Sequence, residues 1–169
     1  EVGFGTGLNA ILTYPFALAQ KAFIQYDTLE KFPLTMEVVK QLQFEKFILN
    51  PELHDAFLDL HQAPWNEPVN VIPYFTLQKI HETLEEFVAP RAYYDLIYFD
   101  AFAPEKQPEL WSDQMFAKLY QATRPGGSLV TYCAKGSFKR SLKAAGYEVE
   151  PLPGPPGKRE MTRGTRPVE

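Results

Sequence analysis

The sequence predicts an α/β fold: a mostly parallel sheet with an antiparallel end strand and helices on both faces. Three observations carry that reading. Near the start, Gly3-Phe4-Gly5-Thr6-Gly7 sets glycines at alternate positions between Glu1-Val2 and a helix-compatible apolar run, the pattern of a strand turning sharply into a helix. Further on, Tyr94-Asp95-Leu96-Ile97-Tyr98-Phe99-Asp100 is a near-continuous apolar run closed by a carboxylate, as expected of a strand buried on both faces. Around these, strand-like and helix-like segments alternate, which layers helices on a parallel sheet of about five strands.

Taken in order, residues 8–21 suit a helix with Pro15 as a break or kink. Residues 23–29 alternate as a second strand ending at Glu30. Residues 35–62 read as helical in two pieces, with Thr35 as a cap, Pro51 opening the second, and Met36, Val39, Leu42, Phe44 and Phe47 as buried candidates. A loop surrounds Trp65, and residues 69–72 and 75–81 are extended, the latter as the third parallel strand. After the strand ending at Asp100 come a proline-stiffened loop, a helix over 112–123 and a turn at Arg124-Pro125-Gly126-Gly127. A strand over 128–133, a helix over 137–145 and a strand over 147–152 follow. Pro151, Pro153, Pro155 and Pro156 form a stiff connection to a last strand near 159–163.

The 169 residues suit one domain, and 45% hydrophobic content is enough for a core. Glu1 and Val2 are too little to make a strand alone, so an upstream segment is expected. No apolar run approaches a membrane span and no signal peptide opens the chain. A single cysteine, Cys133, excludes an internal disulfide and fits a reducing compartment, so a cytoplasmic location is expected. Charge is uneven: residues 135–166 hold eight basic residues against three acidic ones, on an otherwise acidic body. A basic end suits an anionic partner if the charges share a face, and is otherwise an ordinary solvated surface.

The glycine turn belongs at the carboxyl edge of a parallel sheet, where open α/β folds hold nucleotide-like ligands. Its spacing is G-x-G-x-G. A dinucleotide fingerprint needs a glycine at position 8, which is Leu8 here. Glu30 stands where such folds put the carboxylate that accepts from ribose hydroxyls, or is a solvated strand end. Asp100, carried to the same edge by its strand, can orient an incoming amine, or is a loop carboxylate. Phe102, Trp111 and Tyr132 suit the walls of a pocket for a flat base, or the core. Lys106 meets a phosphate or water. His54, His61 and His81 show no metal-ligand spacing with Cys133, and no triphosphate-binding loop is present.

Four stretches are more specific. Glu1 to Asn9, Asp100-Ala101-Phe102-Ala103-Pro104-Glu105-Lys106-Gln107-Pro108-Glu109-Leu110-Trp111, Arg124-Pro125-Gly126-Gly127, and Gly154-Pro155-Pro156-Gly157-Lys158-Arg159-Glu160-Met161 resemble, in order, the S-adenosylmethionine-dependent methyltransferase domain of the MnmC family. These are tRNA wobble-uridine enzymes. The resemblance implies a class I, Rossmann-like methyltransferase fold. It implies methyl transfer from S-adenosylmethionine to the amine of 5-aminomethyl-2-thiouridine in tRNA. Glu1, Gly3, Gly5, Gly7 and Glu30 would then hold the cofactor, with Glu82 at its adenine. Asp100 would sit beside the methyl and the amine, and Phe102, Lys106, Tyr132, Lys158 and Arg159 would meet the tRNA. No flavin-dependent oxidase half accompanies these residues, so a stand-alone methyltransferase is expected, supplied with aminomethyl-uridine tRNA by a separate enzyme. Other readings are methylation of another amine, a silent S-adenosylmethionine-binding tRNA module, and an oxidoreductase.

Overall fold

A computed structural model describes residues 1–168 except 49, 155 and 156. Two compact units emerge, one of Glu1 and Gly3–Thr83, the other of Val2 and the residues from Leu84 onward.

The first unit holds α1 (Leu8–Gln20), β1 (Ile24–Leu29), α2 (Met36–Gln41), α3 (Pro51–Gln62), β2 (Pro68–Ile72) and β3 (Phe75–Ile80). β3 lies at the centre of a three-stranded sheet, parallel to β1 and antiparallel to β2. The expected parallel strand over 75–81 pairs with β1 as such, and β2, expected only to be extended, adds an antiparallel neighbour. Its cause is local: Ile72 pairs with Phe75, leaving Pro73 and Tyr74 as a two-residue hairpin connection, too short for a parallel crossover. Strand alternation works as expected in β3, where Phe75, Leu77 and Lys79 are buried and the residues between are not. α1 runs through Pro15 rather than breaking there. Asn50 caps α3, its side chain accepting from the Glu52 amide, and Pro51 takes the first helical position. Of the five burial candidates in this region only Val39 is buried, and Phe47 is exposed. The α2 helix is only six residues long, too short to carry the apolar face that the longer expected helix required.

The second unit holds β4 (Tyr94–Tyr98), α4 (Asp113–Ala122), β5 (Thr123–Thr131), α5 (Gly136–Ala145), β6 (Glu148–Pro153) and β7 (Glu160–Thr165), with strand order β4-β5-β7-β6. β4 and β5 are parallel, and β7 runs antiparallel to both β5 and β6. Val2 extends the pairing through a parallel bridge to Phe99. Arg124-Pro125-Gly126-Gly127 is not a free turn but lies within β5, at an irregularity where Tyr94 faces Thr123 and Leu96 faces Ser128. Nor is β4 wholly buried, since Asp95 and Leu96 are exposed. Pro151 and Pro153 belong to β6 rather than to a connection. They are tolerated because β6 is the outer strand of this sheet, where a missing amide costs no ladder bond. Pro155 and Pro156 lie outside the described residues.

Each unit has its own apolar centre. Ile11, Phe57, Leu60, Phe75 and Leu77 are buried in the first; Phe99, Phe116, Leu129, Phe138 and Leu142 in the second. Cys133 is buried as packing. Among the described residues, no helix is long and apolar enough to cross a membrane.

Candidate functional site

In the first unit, the glycine turn is held by side chains on three sides. Gly3, Gly5 and Gly7 all have positive φ, at 91°, 51° and 72°, a region that glycine enters without steric cost. Gly7 opens α1, and no side chain caps that helix or places an acid in its first turn. The Glu1 carboxylate accepts from Thr28 Oγ1 at 2.7 Å and from Asn9 Nδ2 at 2.9 Å, tying the start of the turn to β1 and α1. Burial raises the pKa of this carboxyl, and those hydrogen bonds oppose the shift. Glu30, just past β1, accepts the Gly5 amide at 3.0 Å through Oε2 and the Phe32 amide at 2.7 Å through Oε1. Each oxygen retains a further lone pair.

Glu82 is exposed beyond β3. It lies at the edge that carries Glu30, because the Glu30 amide donates to Ile80 O at 3.0 Å.

Two residues that pattern reading left unassigned also face the turn. His61 Nε2 bonds Thr6 O at 3.2 Å, and Lys79 Nζ donates to His61 O at 2.6 Å. The spacing of the three histidines carries no signal for this contact. The available signal for Lys79 was its parity with Phe75 and Leu77 in β3.

In the second unit, Asp100 follows the buried Phe99 and is exposed. Its backbone is fixed on both sides: Phe99 N donates to Val130 O at 2.8 Å and Asp100 N to Val2 O at 3.0 Å. The next loop is pinned carbonyl by carbonyl. Tyr132 Oη donates to Ala101 O at 2.9 Å, and Trp111 Nε1 to Phe102 O at 2.7 Å. Burial raises the Tyr132 phenol pKa, with the Asp100 charge adding to the effect, so the phenol stays a donor at neutral pH. Lys158 Nζ stands 4.1 Å from the Tyr132 ring centroid.

Asp100, Tyr132 and Lys158 are therefore brought together, and Phe102, two residues after Asp100, is 71% exposed. Lys106 and Arg159 are also exposed. The half-buried Trp111 packs edge-on both against Tyr132 and against the core rings Phe99, Phe116 and Phe138.

Half of the basic residues in 135–166 are already engaged. Lys135 pairs with Glu105, Lys139 with Glu160 and Arg163 with Glu150. Arg166 donates to the carbonyls of Tyr120 and Thr123. Among the described residues, no group of three or more His, Cys, Asp and Glu side chains could hold a metal ion.

In the first unit, a glycine turn opening a helix, with an acid at the end of the strand that follows, marks a class: Rossmann-like α/β proteins, a fold that holds nucleoside-bearing ligands. Solved structures agree on the fold. MnmC2 from Aquifex aeolicus matches with a TM-score of 0.70 at 24% identity, over 99% of this chain and 53% of that one. The S-adenosylmethionine-dependent methyltransferase SibL matches at 0.55 and 16%, over 98% of this chain and 49% of that one. The sequence model of a family described as S-adenosyl-L-methionine-dependent methyltransferase matches residues 74–167, and the chain belongs to that family.

Among its relatives are the tRNA 5-methylaminomethyl-2-thiouridine biosynthesis bifunctional proteins MnmC of Idiomarina loihiensis and Chromobacterium violaceum. They are 34% and 32% identical over 97% of this chain, covering 29% and 26% of those proteins. The chain thus spans less than a third of the length of these relatives.

S-adenosylmethionine is the cofactor of this family, and the first unit suits it. A Cβ at Gly5 would meet nothing within 4 Å, so the turn is open on that side. The Glu30 oxygens can still accept hydroxyl donors, and the first amides of α1 are not claimed by a side-chain cap.

Proposed function

We propose that the chain methylates the primary amine of 5-aminomethyl-2-thiouridine at the wobble position of tRNA, giving 5-methylaminomethyl-2-thiouridine. The reaction belongs in the cytoplasm, on tRNA whose aminomethyl group a separate enzyme has supplied. The names of the MnmC relatives support the substrate. The structural observation that carries the reading is the grouping of Asp100, Tyr132 and Lys158 around a rigidly held loop.

When bound, S-adenosylmethionine supplies a methyl group already made electrophilic by its sulfonium. The protein's task is orientation and exclusion of water. Gly3, Gly5 and Gly7 would leave room for the cofactor, Glu30 would accept from its ribose hydroxyls, Glu82 would serve its adenine, and Glu1 holds the turn in shape. Asp100 would accept a hydrogen bond from the acceptor nitrogen and aim its lone pair at the donor once the amine has shed its surplus proton. Tyr132 keeps the Ala101 carbonyl, and with it Asp100, in place. Phe102 offers a face for the base to stack on. Lys106, Lys158 and Arg159 meet tRNA phosphates, which adds affinity with little sequence information.

The test is transfer of labelled methyl from S-adenosylmethionine to tRNA bearing aminomethyl-2-thiouridine. Wild type should turn over, and Asp100→Ala should lose about 100-fold in rate while still binding the cofactor. Turnover on small amines but not on this tRNA would favour another acceptor. Cofactor binding without turnover on any amine would indicate a silent binding module.

A further inference from the structure

Lys79 is 1% exposed, on a strand position where an aliphatic side chain would suit the packing better. Burying an ammonium is costly unless other groups solvate it. Here the compensation is a carbonyl and two rings. Nζ donates to His61 O at 2.6 Å and lies 4.7 Å from the centroid of Trp65 and 5.6 Å from that of Phe4. Among the described residues, no carboxylate forms a salt bridge with it. His61 is the penultimate residue of α3, so its carbonyl is one of those a helix end leaves unpaired, where a cation is favoured.

The His61 ring is fixed as well. It packs against Phe4 and Phe57 with centroids 5.1 and 4.7 Å away, and its Nε2 reaches Thr6 O at 3.2 Å. A carbonyl only accepts, which assigns the proton to Nε2. Burial, with the Lys79 charge contributing, lowers the His61 pKa and favours that neutral form. The fit also depends on Gly7, where a Cβ would come within 3.0 Å of Nε2.

We propose that Lys79 and His61 form a brace behind the glycine turn: Lys79 fixes the last turn of α3, and His61 in turn fixes the Thr6 peptide, setting the turn in its cofactor-binding shape. Both act as positioning residues. The proposal rests on the family's cofactor and not on the tRNA acceptor, so it is tested with no acceptor present.

The measurements are calorimetric titration of the purified chain with S-adenosylmethionine, thermal melting, and amide hydrogen exchange across residues 3–7 without added cofactor. His61→Phe keeps a ring and removes the donor; Lys79→Met keeps the length and removes the charge. Each should raise the cofactor Kd about tenfold, the worth of one hydrogen bond, and speed exchange of the turn's amides. His61→Gln, which restores a donor, should recover part of the affinity. Lys79→Met should bind more weakly while melting no lower than wild type, a combination that a merely structural lysine would not give. A Kd within twofold of wild type in either His61→Phe or Lys79→Met, with turn exchange unchanged in wild-type fashion, overturns the proposal. The exchange comparison stands on its own if a variant's binding heat is too small to fit.

Discussion

Glu30 Oε2 accepts the Gly5 amide at 3.0 Å, so the acid that closes β1 is wired directly to the middle of the glycine turn. One carboxylate both shapes the turn and offers lone pairs to a ligand. Glu30→Ala should therefore raise the S-adenosylmethionine Kd 10- to 100-fold, the range of one or two charge-assisted hydrogen bonds. Its melting temperature should move little, because the hydrogen bonds it makes to the Gly5 and Phe32 amides are exposed. Titration calorimetry beside a melting curve checks both halves.

Gly5 and Gly7 differ in what surrounds them, and alanine at each should separate folding from binding. Both have positive φ, which costs an L-residue about 1 kcal/mol. At Gly7 the new methyl also meets His61 Nε2 at 3.0 Å and the Phe4 ring at 3.2 Å, whereas at Gly5 it meets nothing within 4 Å. Denaturant melts should show Gly7→Ala losing about 2 kcal/mol or more and Gly5→Ala about half as much. Cofactor affinity should nevertheless fall in Gly5→Ala, because its methyl occupies the open side of the turn.

Lys79 gives a pH dependence with a definite sign. Burial lowers its pKa from 10.5 to about 8. Between those two values the unfolded chain binds the proton and the folded chain does not, so this group makes stability rise with pH over that window. Below about pH 8 its burial penalty is felt in full. Lys79→Met lacks the titration altogether. The melting-temperature advantage of Lys79→Met over wild type should be largest at pH 7 and shrink by pH 10. An unchanged difference would place the titration elsewhere.

Trp111 joins the proline loop to the core through both its ring and its Nε1 bond to Phe102 O. Trp111→Phe preserves most of the packing and deletes the bond. About 1 kcal/mol of stability should be lost, together with a several-fold fall in methyl transfer relative to cofactor binding, since the loop that follows Asp100 loses an anchor. Comparing kcat with the cofactor Kd distinguishes this from general unfolding.

Much of the architecture was legible because its signals are local. Apolar alternation located β1 within a residue, Pro51 marked the start of α3, and glycine spacing marked the turn into α1. Where local punctuation misled, a neighbouring strand had overruled it. Arg124-Pro125-Gly126-Gly127 has turn chemistry but is carried inside β5 between β4 and β7, and Pro151 and Pro153 survive in β6 because one side of that strand is unpaired. Phe47 has a core residue's chemistry but lies outside the helices and is exposed. The candidate residues divide in the same way: Gly5 and Glu30 in one unit and Asp100 in the other stand at strand and loop ends that local pattern can find.

By itself, then, the sequence determined which segments become strands and helices, and which glycines and acids stand at their ends, because those outcomes depend on neighbours a few residues away. Only the tertiary structure decided that His61 would reach Thr6 across 55 residues, that Lys79 would be solvated by a helix-end carbonyl and two rings, and that Tyr132 would hold Ala101. Such partners are chosen by strand pairing and by the closing of apolar surface over polar atoms. Those long-range contacts leave no period in the chain to read.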